Sequence, residues 1–359
     1  MKTRISMWLS CLLMWVTCMV SASAERMNHK GNWEYSKTKE FHQQFTVKPT
    51  DLLQIDNRYG NVTVVYWAKN EVDIRVEVQV DANQEKKIKE LLDRVDIRFN
   101  QSGGVVSAFT EIESQQNNGN YNLNIHYYVQ MPKTMNGKME VNYGNVYLPD
   151  NNEGAWALDV KYGNIQAGNF TAPLQIVAKY TNVDIRNVYQ AEVELEYTGN
   201  SKIGNAEKLM IDGKYSTMSI GDVKQLELSC KFGGVELETV DRAEMSLSYS
   251  NAEISSLKQI LDLDELSYST LNIRALSDSF TRIDADARYG NLKLRLPEKT
   301  AFTVEADDMK YGDLEVRGFH IDQEKKEDKD YYYYEVNGGG KRKIRFSGNN
   351  YSHLTIRSL

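Results

Sequence analysis

A short phrase that returns throughout the chain constrains its fold more than any other feature. One copy reads CKFGGVEL, from Cys230 to Leu237, and others read NYGNVYL at Asn142, KYGNIQA at Lys161 and RYGNLKL at Arg288. An aromatic residue is followed by small residues, often Gly-Asn, and then by two apolar residues in alternation with polar ones. Such alternation is typical of half-buried strands, so each copy predicts a strand, a tight corner and a second strand.

The spacing of the copies predicts how they stack. Intervals of 17 to 22 residues separate the aromatic residues Tyr143, Tyr162, Tyr180, Tyr197, Tyr215, Phe232, Tyr249, Tyr268, Tyr289 and Tyr311. A repeat of about 18 residues is too short for a helix pair or a propeller blade and fits one turn of a β-solenoid. Apolar residues recur two positions before the aromatic residue and three, five and eight after it. We therefore predict an all-β fold, a parallel β-helix.

The corner after each aromatic residue explains the small residues. A change of direction within two residues needs backbone conformations that Gly and Asn adopt at little cost. The copy at Tyr197 holds one extra residue, because Ile203 supplies its apolar side chain, and this predicts a bulge from Gly199 to Ser201. The rings should point inward or form a stacked ladder at the corner. An exposed tyrosine stripe that stacks on glycans is the alternative.

Composition changes divide the chain into four predicted parts. Residues 1–24 have the basic start, apolar run and Ala22-Ser23-Ala24 cleavage site of a secretory signal peptide. Residues 25–138 form a capping region with antiparallel strands, residues 139–320 the regular solenoid, and residues 321–359 a C-terminal hairpin and cap. The signal peptide predicts export to the periplasm or cell surface, and the mature chain has no apolar run that predicts a transmembrane segment.

The capping region contains the only helical pattern. Ile88 and Leu91 lie at helical spacing between residues 81 and 95, Asp81 can cap the start, and Glu85 can pair with Lys89. One amphipathic helix is predicted there, within a strand-helix-strand elaboration.

The C-terminal cap ends the array with a second departure from the repeat. Tyr331–Tyr334 lead through Gly338–Gly340 to Lys343, a pattern that predicts a β-hairpin. If the four consecutive tyrosines form a strand, two of their rings must point outward, and these should form an exposed aromatic patch. FSGNNYSHLTI from Phe346 is a last copy with a lengthened corner.

Charge and cysteine content exclude several classes of partner and chemistry. The formal net charge is −7, which disfavours nucleic acid as a partner. Cys230 is the only cysteine beyond the predicted signal peptide, so no intramolecular disulfide is expected. It occupies an inward column and is predicted to be a buried, inert thiol.

No set of residues in the sequence has the spacing of a catalytic or metal site. The histidines are His29, His42, His126, His320 and His353, and no two have ligand spacing. The carboxylates alternate with apolar residues, as on the wet face of a strand, and Gly338–Gly340 lacks the Lys-Ser/Thr of a phosphate loop. We therefore assign no catalytic, metal or cofactor-binding residues, and no cofactor.

The chain resembles a known family of exported bacterial proteins. The resemblance rests on NRYGNVTVVYWAKNEVDIRVEV from Asn57, on the later YGNV and YGNL phrases, and on VNGGGKRKIRFSGNNYSHLTI from Val336. These segments are similar to the bacterial "putative adhesin" solenoid family, a domain-of-unknown-function group. The resemblance covers residues 40 to 357 and implies a right-handed parallel β-helix with a helix-bearing N-terminal elaboration. It defines no functional residues.

Two functions of different class remain open from the sequence. The first is an exported, non-enzymatic scaffold that binds an envelope protein or a glycan along its long side, or that serves a structural role. The alternative is a polysaccharide lyase or hydrolase on a parallel β-helix, which would require long loops to wall a groove. The short, regular repeat intervals disfavour that alternative. An acyltransferase of the hexapeptide type is disfavoured as well, because the sequence lacks the six-residue repeat of that class.

Overall fold

The computed structural model describes residues 33–113, 120–327 and 330–359, and within them nearly all of the chain is β-structure. The N-terminal elements are β1 (Tyr35–Thr46), β2 (Leu52–Arg58), β3 (Val62–Trp67), β4 (Glu71–Ala82), α1 (Glu85–Asp93), β5 (Val95–Ser102), β6 (Val105–Ile112) and β7 (Tyr121–Pro132). The middle strands are β8 (Asn136–Asn142), β9 (Asn145–Tyr147), β10 (Asn151–Asn152), β11 (Trp156–Ala167), β12 (Asn169–Phe170), β13 (Leu174–Glu196), β14 (Ser201–Lys214), β15 (Thr217–Ile220), β16 (Val223–Lys231), β17 (Gly234–Ser248), β18 (Asn251–Ser267), β19 (Thr270–Ile273), β20 (Arg282–Arg288) and β21 (Asn291–Leu296). The C-terminal strands are β22 (Phe302–Asp307), β23 (Asp313–Arg317), β24 (Ile321–Glu327), β25 (Tyr331–Val336), β26 (Lys343–Asn349) and β27 (His353–Ser358).

In the middle of the chain, each turn of backbone lies parallel to the turn before it. Lys161 pairs with Lys179 and Ser229 pairs with Ser246, so equivalent positions of successive copies form columns. We call one such turn a rung. The third inward column, as predicted, is buried and consists of Phe170, Val188, Val223, Val240, Leu257 and Leu276. The predicted β-solenoid is therefore confirmed, and its apolar columns form one core along the axis.

The aromatic residue, and not glycine, has the unusual backbone conformation at each corner. Its φ is positive in every copy, from 49° at Tyr249 to 65° at Tyr311. The glycine that follows is needed for space: a Cβ at Gly163 would lie 1.7 Å from the carbonyl oxygen of Gly144. The expectation that Gly and Asn carry the strained conformations is wrong. A left-handed non-glycine residue costs about 1–2 kcal/mol, and this cost recurs in every rung.

The extra residue predicted in the copy at Tyr197 is present. Ser201 lies four residues after Tyr197 and pairs with Met218, which lies three residues after Tyr215. The following pair, Ile203 and Ile220, is again in register. The additional residue is therefore absorbed between Tyr197 and Ser201, where the bulge was predicted.

At the N-terminal end, the order of strands in space differs from their order in the chain. Strand β2 lies between β6 and β8, and β3 lies between β7 and β9, all in parallel. The first copy of the phrase, at Tyr59, is thus a rung beside the regular array. Strands β4 and β1 extend the sheet beyond β7 in antiparallel orientation, and β5 does so beyond β6. Val72, Ile74, Val76, Val78 and Val80 are fully buried, as their alternation predicts.

The predicted helix exists but begins differently. Helix α1 starts at Glu85 after Gln84, and no side chain caps it. Asp81 belongs to β4, where its carboxylate accepts hydrogen bonds from Gln79 and Asn122, so its predicted capping role is wrong. Glu85 pairs with Lys37 of β1 at 2.6 Å, which joins the helix to the neighbouring strand.

The C-terminal end is also out of chain order. Strand β26 lies between β20 and β22, and β27 lies between β21 and β23. The last copy of the phrase therefore inserts between the two copies that precede it. The predicted hairpin of β25 and β26 is wrong, because β25 pairs antiparallel with β22 and β24 instead.

The predicted exposed patch at Tyr331–Tyr334 is wrong as well. Tyr334 is buried and its hydroxyl donates to Glu324, while the other three rings are partly buried. The predicted signal peptide, residues 1–24, lies outside the described residues. The division at residues 138 and 320 and the right-handed sense remain predictions.

Candidate ligand-binding surface

A continuous stack of aromatic rings runs along the corner of the solenoid. Neighbouring centroids are 4.8 to 5.8 Å apart and the planes differ by 18° or less. In spatial order the rings are Tyr59, Tyr143, Tyr162, Tyr180, Tyr197, Tyr215, Phe232, Tyr249, Tyr268, Tyr289, Tyr351 and Tyr311. We call this stack the aromatic ladder. The predicted corner ladder is confirmed, and the inward orientation is excluded.

The aromatic ladder presents ring edges, and not ring faces, to solvent. The exposed fraction of its side chains ranges from 36% at Tyr289 to 63% at Tyr311. Each internal ring has a neighbour on both faces, and sugars stack on aromatic faces. Only the edges and hydroxyl groups are therefore available along the ladder. This geometry argues against the proposed tyrosine stripe for glycan stacking.

Small hydroxyl side chains anchor the corner behind the rings. Thr181, Ser216, Ser250, Ser269 and Ser352 are buried directly after the aromatic residue. The hydroxyl of Ser250 donates to the carbonyl of Cys230 at 3.1 Å and accepts from the amide of Gly233 at 3.1 Å. These bonds join adjacent rungs at a point where the strand pairing is interrupted, so the ladder has a fixed base.

A column of asparagines follows the ladder two residues further on. The amide of Asn145 donates to Asn61 at 2.9 Å, that of Asn164 to Asn145 at 2.7 Å, and that of Asn182 to Asn164 at 3.2 Å. The column then continues through Asn200, whose backbone amide bonds to Asn182. In this N-terminal half, the side-chain amides satisfy one another along the axis. We call it the amide column.

The amide column stops after Asn200, and a trough opens there. The equivalent positions hold Thr217 and then Gly234, with Asn251 and Thr270 beyond them. The trough has a volume of about 930 Å³, and its floor includes Ser219, Glu236, Glu253 and Asn272. A smaller trough of about 410 Å³ shares Asn200 and Lys202 and extends to Tyr147. The two form one polar surface on the side of the solenoid that follows the corner.

Several side chains in the trough retain free hydrogen-bonding capacity. Within the part of the chain that the structure describes, the side chains of Thr217, Ser219 and Asn251 make no hydrogen bond. Lys202 and Glu236, on either side of Ser219, also make no ion pair among these residues. The trough thus offers hydroxyl, amide, ammonium and carboxylate groups to a ligand. It carries charges of both signs.

The residues considered for chemistry in the sequence lie apart from the trough. Cys230 is 1% exposed, and burial raises the pKa of its thiol. His42 contacts Asp73 at 2.8 Å, and His320 contacts Asp322 at 3.3 Å. Among residues 33–113, 120–327 and 330–359, no three His, Cys, Asp or Glu side chains converge as metal ligands. His29 lies outside these residues.

A second polar hollow gathers carboxylates near the C-terminal end. Its lining includes Asp262, Asp284 and Glu305, with Arg282 2.7 Å from Asp262 and Arg345 3.8 Å from Asp284. The arginines neutralise part of the charge. The sequence did not predict either hollow, because neighbours in a hollow come from rungs about 18 residues apart. The interruption of the asparagines by Thr217 and Gly234 was the available signal for the trough.

The fold and its surface define the chain as a β-solenoid with an open, polar side face. Residues 50–350 match the Toastrack DUF4097 family, and the chain belongs to that family. No curated protein matches it. No described helix has the length and apolarity needed to cross a bilayer.

Two of the solved structures that match the chain come from Parabacteroides species. One is described as a putative adhesin from Parabacteroides merdae, with 9% identity and a TM-score of 0.35, covering 89% of this chain and 96% of that chain. Another is described as a putative lipid binding protein from Parabacteroides distasonis, with 10% identity, a TM-score of 0.34 and the same coverage. At this identity and overlap, the likeness carries no argument about what this chain binds.

Proposed function

We propose that this protein is an exported, non-enzymatic scaffold that binds an extended glycan along its side face, in an adhesin-like role at the cell envelope. The trough of about 930 Å³ carries the proposal. It lies open along the axis beside two-residue corners and the longer corner at residues 197–200, and its polar groups come from successive rungs. A linear polymer can contact such a repeated surface at several rungs, so weak contacts add.

The chemistry of the floor favours a glycan over other polymers. Backbone groups of the rungs pair with one another, so an extended peptide has no strand edge to join within the trough. The trough is lined by Lys202, Arg274 and Lys293 as well as by Glu236 and Glu253, so it presents no run of like charge that would select a polyanion or a polycation. Hydroxyl and amide side chains match the hydroxyl groups of sugars, which both donate and accept.

The test is binding of the chain from residue 25 to an array of envelope and host glycans. Ser219→Arg places a long side chain in the floor of the trough, and we expect it to weaken binding by about tenfold or more, equivalent to ~1.4 kcal/mol. Ser229→Arg is the matched control: this exposed serine lies on strand β16, before the corner, between Asp212 and Ser246. It should bind as the parent does.

Three results would contradict the proposal. The first is an array on which no glycan binds, and the second is binding that Ser229→Arg abolishes and Ser219→Arg preserves. The third is cleavage of a bound glycan, which would establish instead the alternative of a polysaccharide lyase or hydrolase. Reducing-end release and absorbance of unsaturated products distinguish hydrolysis from elimination.

A further inference from the structure

We propose that the gap at Gly234, which lies in line with the amide column two rungs beyond Asn200, is a subsite for one uncharged sugar residue of the bound glycan. This inference rests on the proposed function and adds where, and by which residues, a sugar is held. Gly234 pairs with Thr217 on one side and Asn251 on the other, in the column that asparagines fill in the N-terminal half. The trough is centred on this interruption.

Nothing in the local backbone requires glycine at position 234. A Cβ there would lie 3.7 Å from the Cγ2 of Thr217 and 3.9 Å from the carbonyl oxygen of Asn251, both ordinary contacts. The φ of Gly234 is not positive, so a side chain would cause no strain there. By contrast, a Cβ at the adjacent Gly233 would lie 2.2 Å from the carbonyl of Ser216. Gly233 is a structural requirement, whereas Gly234 leaves space.

The groups around this space suit a hydroxyl-rich, uncharged ring. Thr217 and Asn251 flank it, Ser219 lies two residues after Thr217 on β15, and Glu236 lies two residues after Gly234 on β17. None of these four side chains has a hydrogen-bond partner among the described residues. A carboxylate accepts from vicinal sugar hydroxyls, while the hydroxyl and amide groups both donate and accept. Lys202, one rung from Ser219, balances the charge of Glu236. On the next rung Glu253 pairs with Arg274, and Lys293 lies three rungs from Glu236, so the charges nearest the gap balance and would not select an ionic ligand.

The deciding variant is Gly234→Asn. Asparagine already occupies the equivalent positions Asn164, Asn182 and Asn251 of other rungs, so the variant should fold with an unchanged melting temperature. The new side chain occupies the gap. We expect the affinity for the glycan selected on the array to fall by about tenfold or more, because the sugar ring is excluded. Gly234→Ala, which adds a single methyl group, should produce a smaller loss.

The measurement is calorimetric titration with cellohexaose, chitohexaose, mannohexaose and laminarihexaose, and with the array ligand. Ser229→Asn, outside the trough, is the control and should bind as the parent does. If Gly234→Asn folds and binds normally while Ser219→Arg does not bind, the subsite is wrong and the proposed function stands. If the parent binds none of these glycans, both fail. If the selected ligand is a uronic acid polymer, the uncharged subsite is overturned.

Discussion

The middle and the two ends of the solenoid are built from the same phrase, but they are connected differently. In the middle, each rung stacks on the rung before it in the chain, as Lys231 does on Lys214. At the ends, rungs are inserted: Arg288 pairs with Asn349, and Arg58 pairs with Asn142. Each end therefore contains a rung that lies in space between two rungs distant from it in the sequence.

This difference shows how one solenoid both extends its core and stabilises its terminal rungs. Nearest-neighbour stacking extends the core but leaves the last rung dependent on the one before it. Inserting β26 and β27 between two earlier rungs fixes both of them through a remote segment. Such pairing costs loop-closure entropy that the middle does not incur. We expect the middle to tolerate changes of length, and the ends to fold as units.

Two deletions of equal length should show the largest difference in stability between the middle and an end of the solenoid. Removal of residues 215–231 joins Lys214 to Phe232 and recreates the phrase, so we expect a folded protein one rung shorter. Removal of residues 343–359 takes away the only sheet partner that β23 has among the described strands, and one partner of β21. That protein should lose cooperative unfolding at its C-terminal end. Circular dichroism on heating and limited proteolysis measure both, and equal tolerance of the two deletions would contradict the comparison.

Matched leucines sharpen the same contrast at a smaller scale. Leu354 and Leu237 are both buried, and each stacks between two rungs. Replacement by Ala should cost about 2–5 kcal/mol at either site. Leu354→Ala should also accelerate amide exchange across β23, because among the described strands β23 pairs with β27 alone. Leu237→Ala should leave the rungs beyond its neighbours protected. If amide exchange changes equally in strands equally far from Leu354 and from Leu237, the insertion of β26 and β27 between earlier rungs has no special effect on stability.

The amide column provides a contrast within the middle. Asn164 donates to Asn145 and accepts from Asn182, whereas the side chain of Asn251 forms no hydrogen bond among the described residues. Asn164→Ala should lower the free energy of unfolding by about 1 kcal/mol, since an intramolecular hydrogen bond contributes about 0.5–1.5 kcal/mol and this one is exposed. Asn251→Ala should have no measurable effect. Urea unfolding followed by tryptophan fluorescence tests both.

Alkaline pH should have the smallest effect, and it should act at the N-terminal end. Tyr127 is fully buried there with its hydroxyl 2.8 Å from Thr110, and burial raises its pKa. The unfolded state therefore releases a proton first, so stability is complete below the ordinary tyrosine pKa and declines above it. We expect a loss of a few tenths of a kcal/mol at pH 10, growing with pH. Tyr127→Phe should reduce this slope, and an unchanged slope would show that Tyr127 does not cause it.

Much of the middle could be predicted from the sequence, for a simple physical reason. Strand alternation and corner chemistry are local, and a rung in register with its chain neighbours needs no other information. The 18-residue columns, the extra residue before Ser201 and the buried Cys230 follow from this. The positive φ at the corner was predicted for Gly or Asn, but it lies at the aromatic residue. Ring stacking by Tyr249 and its equivalents offsets the backbone cost of that conformation, and residue preferences alone do not include this effect.

The candidate site could be predicted only in part. The sequence shows the asparagines and the interruption at Gly234, but not that Asn164 and Asn182 bond to each other while Thr217 and Asn251 remain free. Whether a ring faces solvent or a neighbour also depends on spacing across rungs. The tyrosine stripe therefore looked available for stacking in the sequence, although its faces are covered.

The sequence by itself determined the repeating unit, its period and its buried columns, since these depend on contacts within a rung and with the next copy. Only the tertiary structure decided the order of rungs at the ends, the partners of β25 and the position of the trough. These depend on pairings between Arg58 and Asn142 or between Arg288 and Asn349. Several copies of one phrase offer equivalent edges, and packing of the whole chain selects among them.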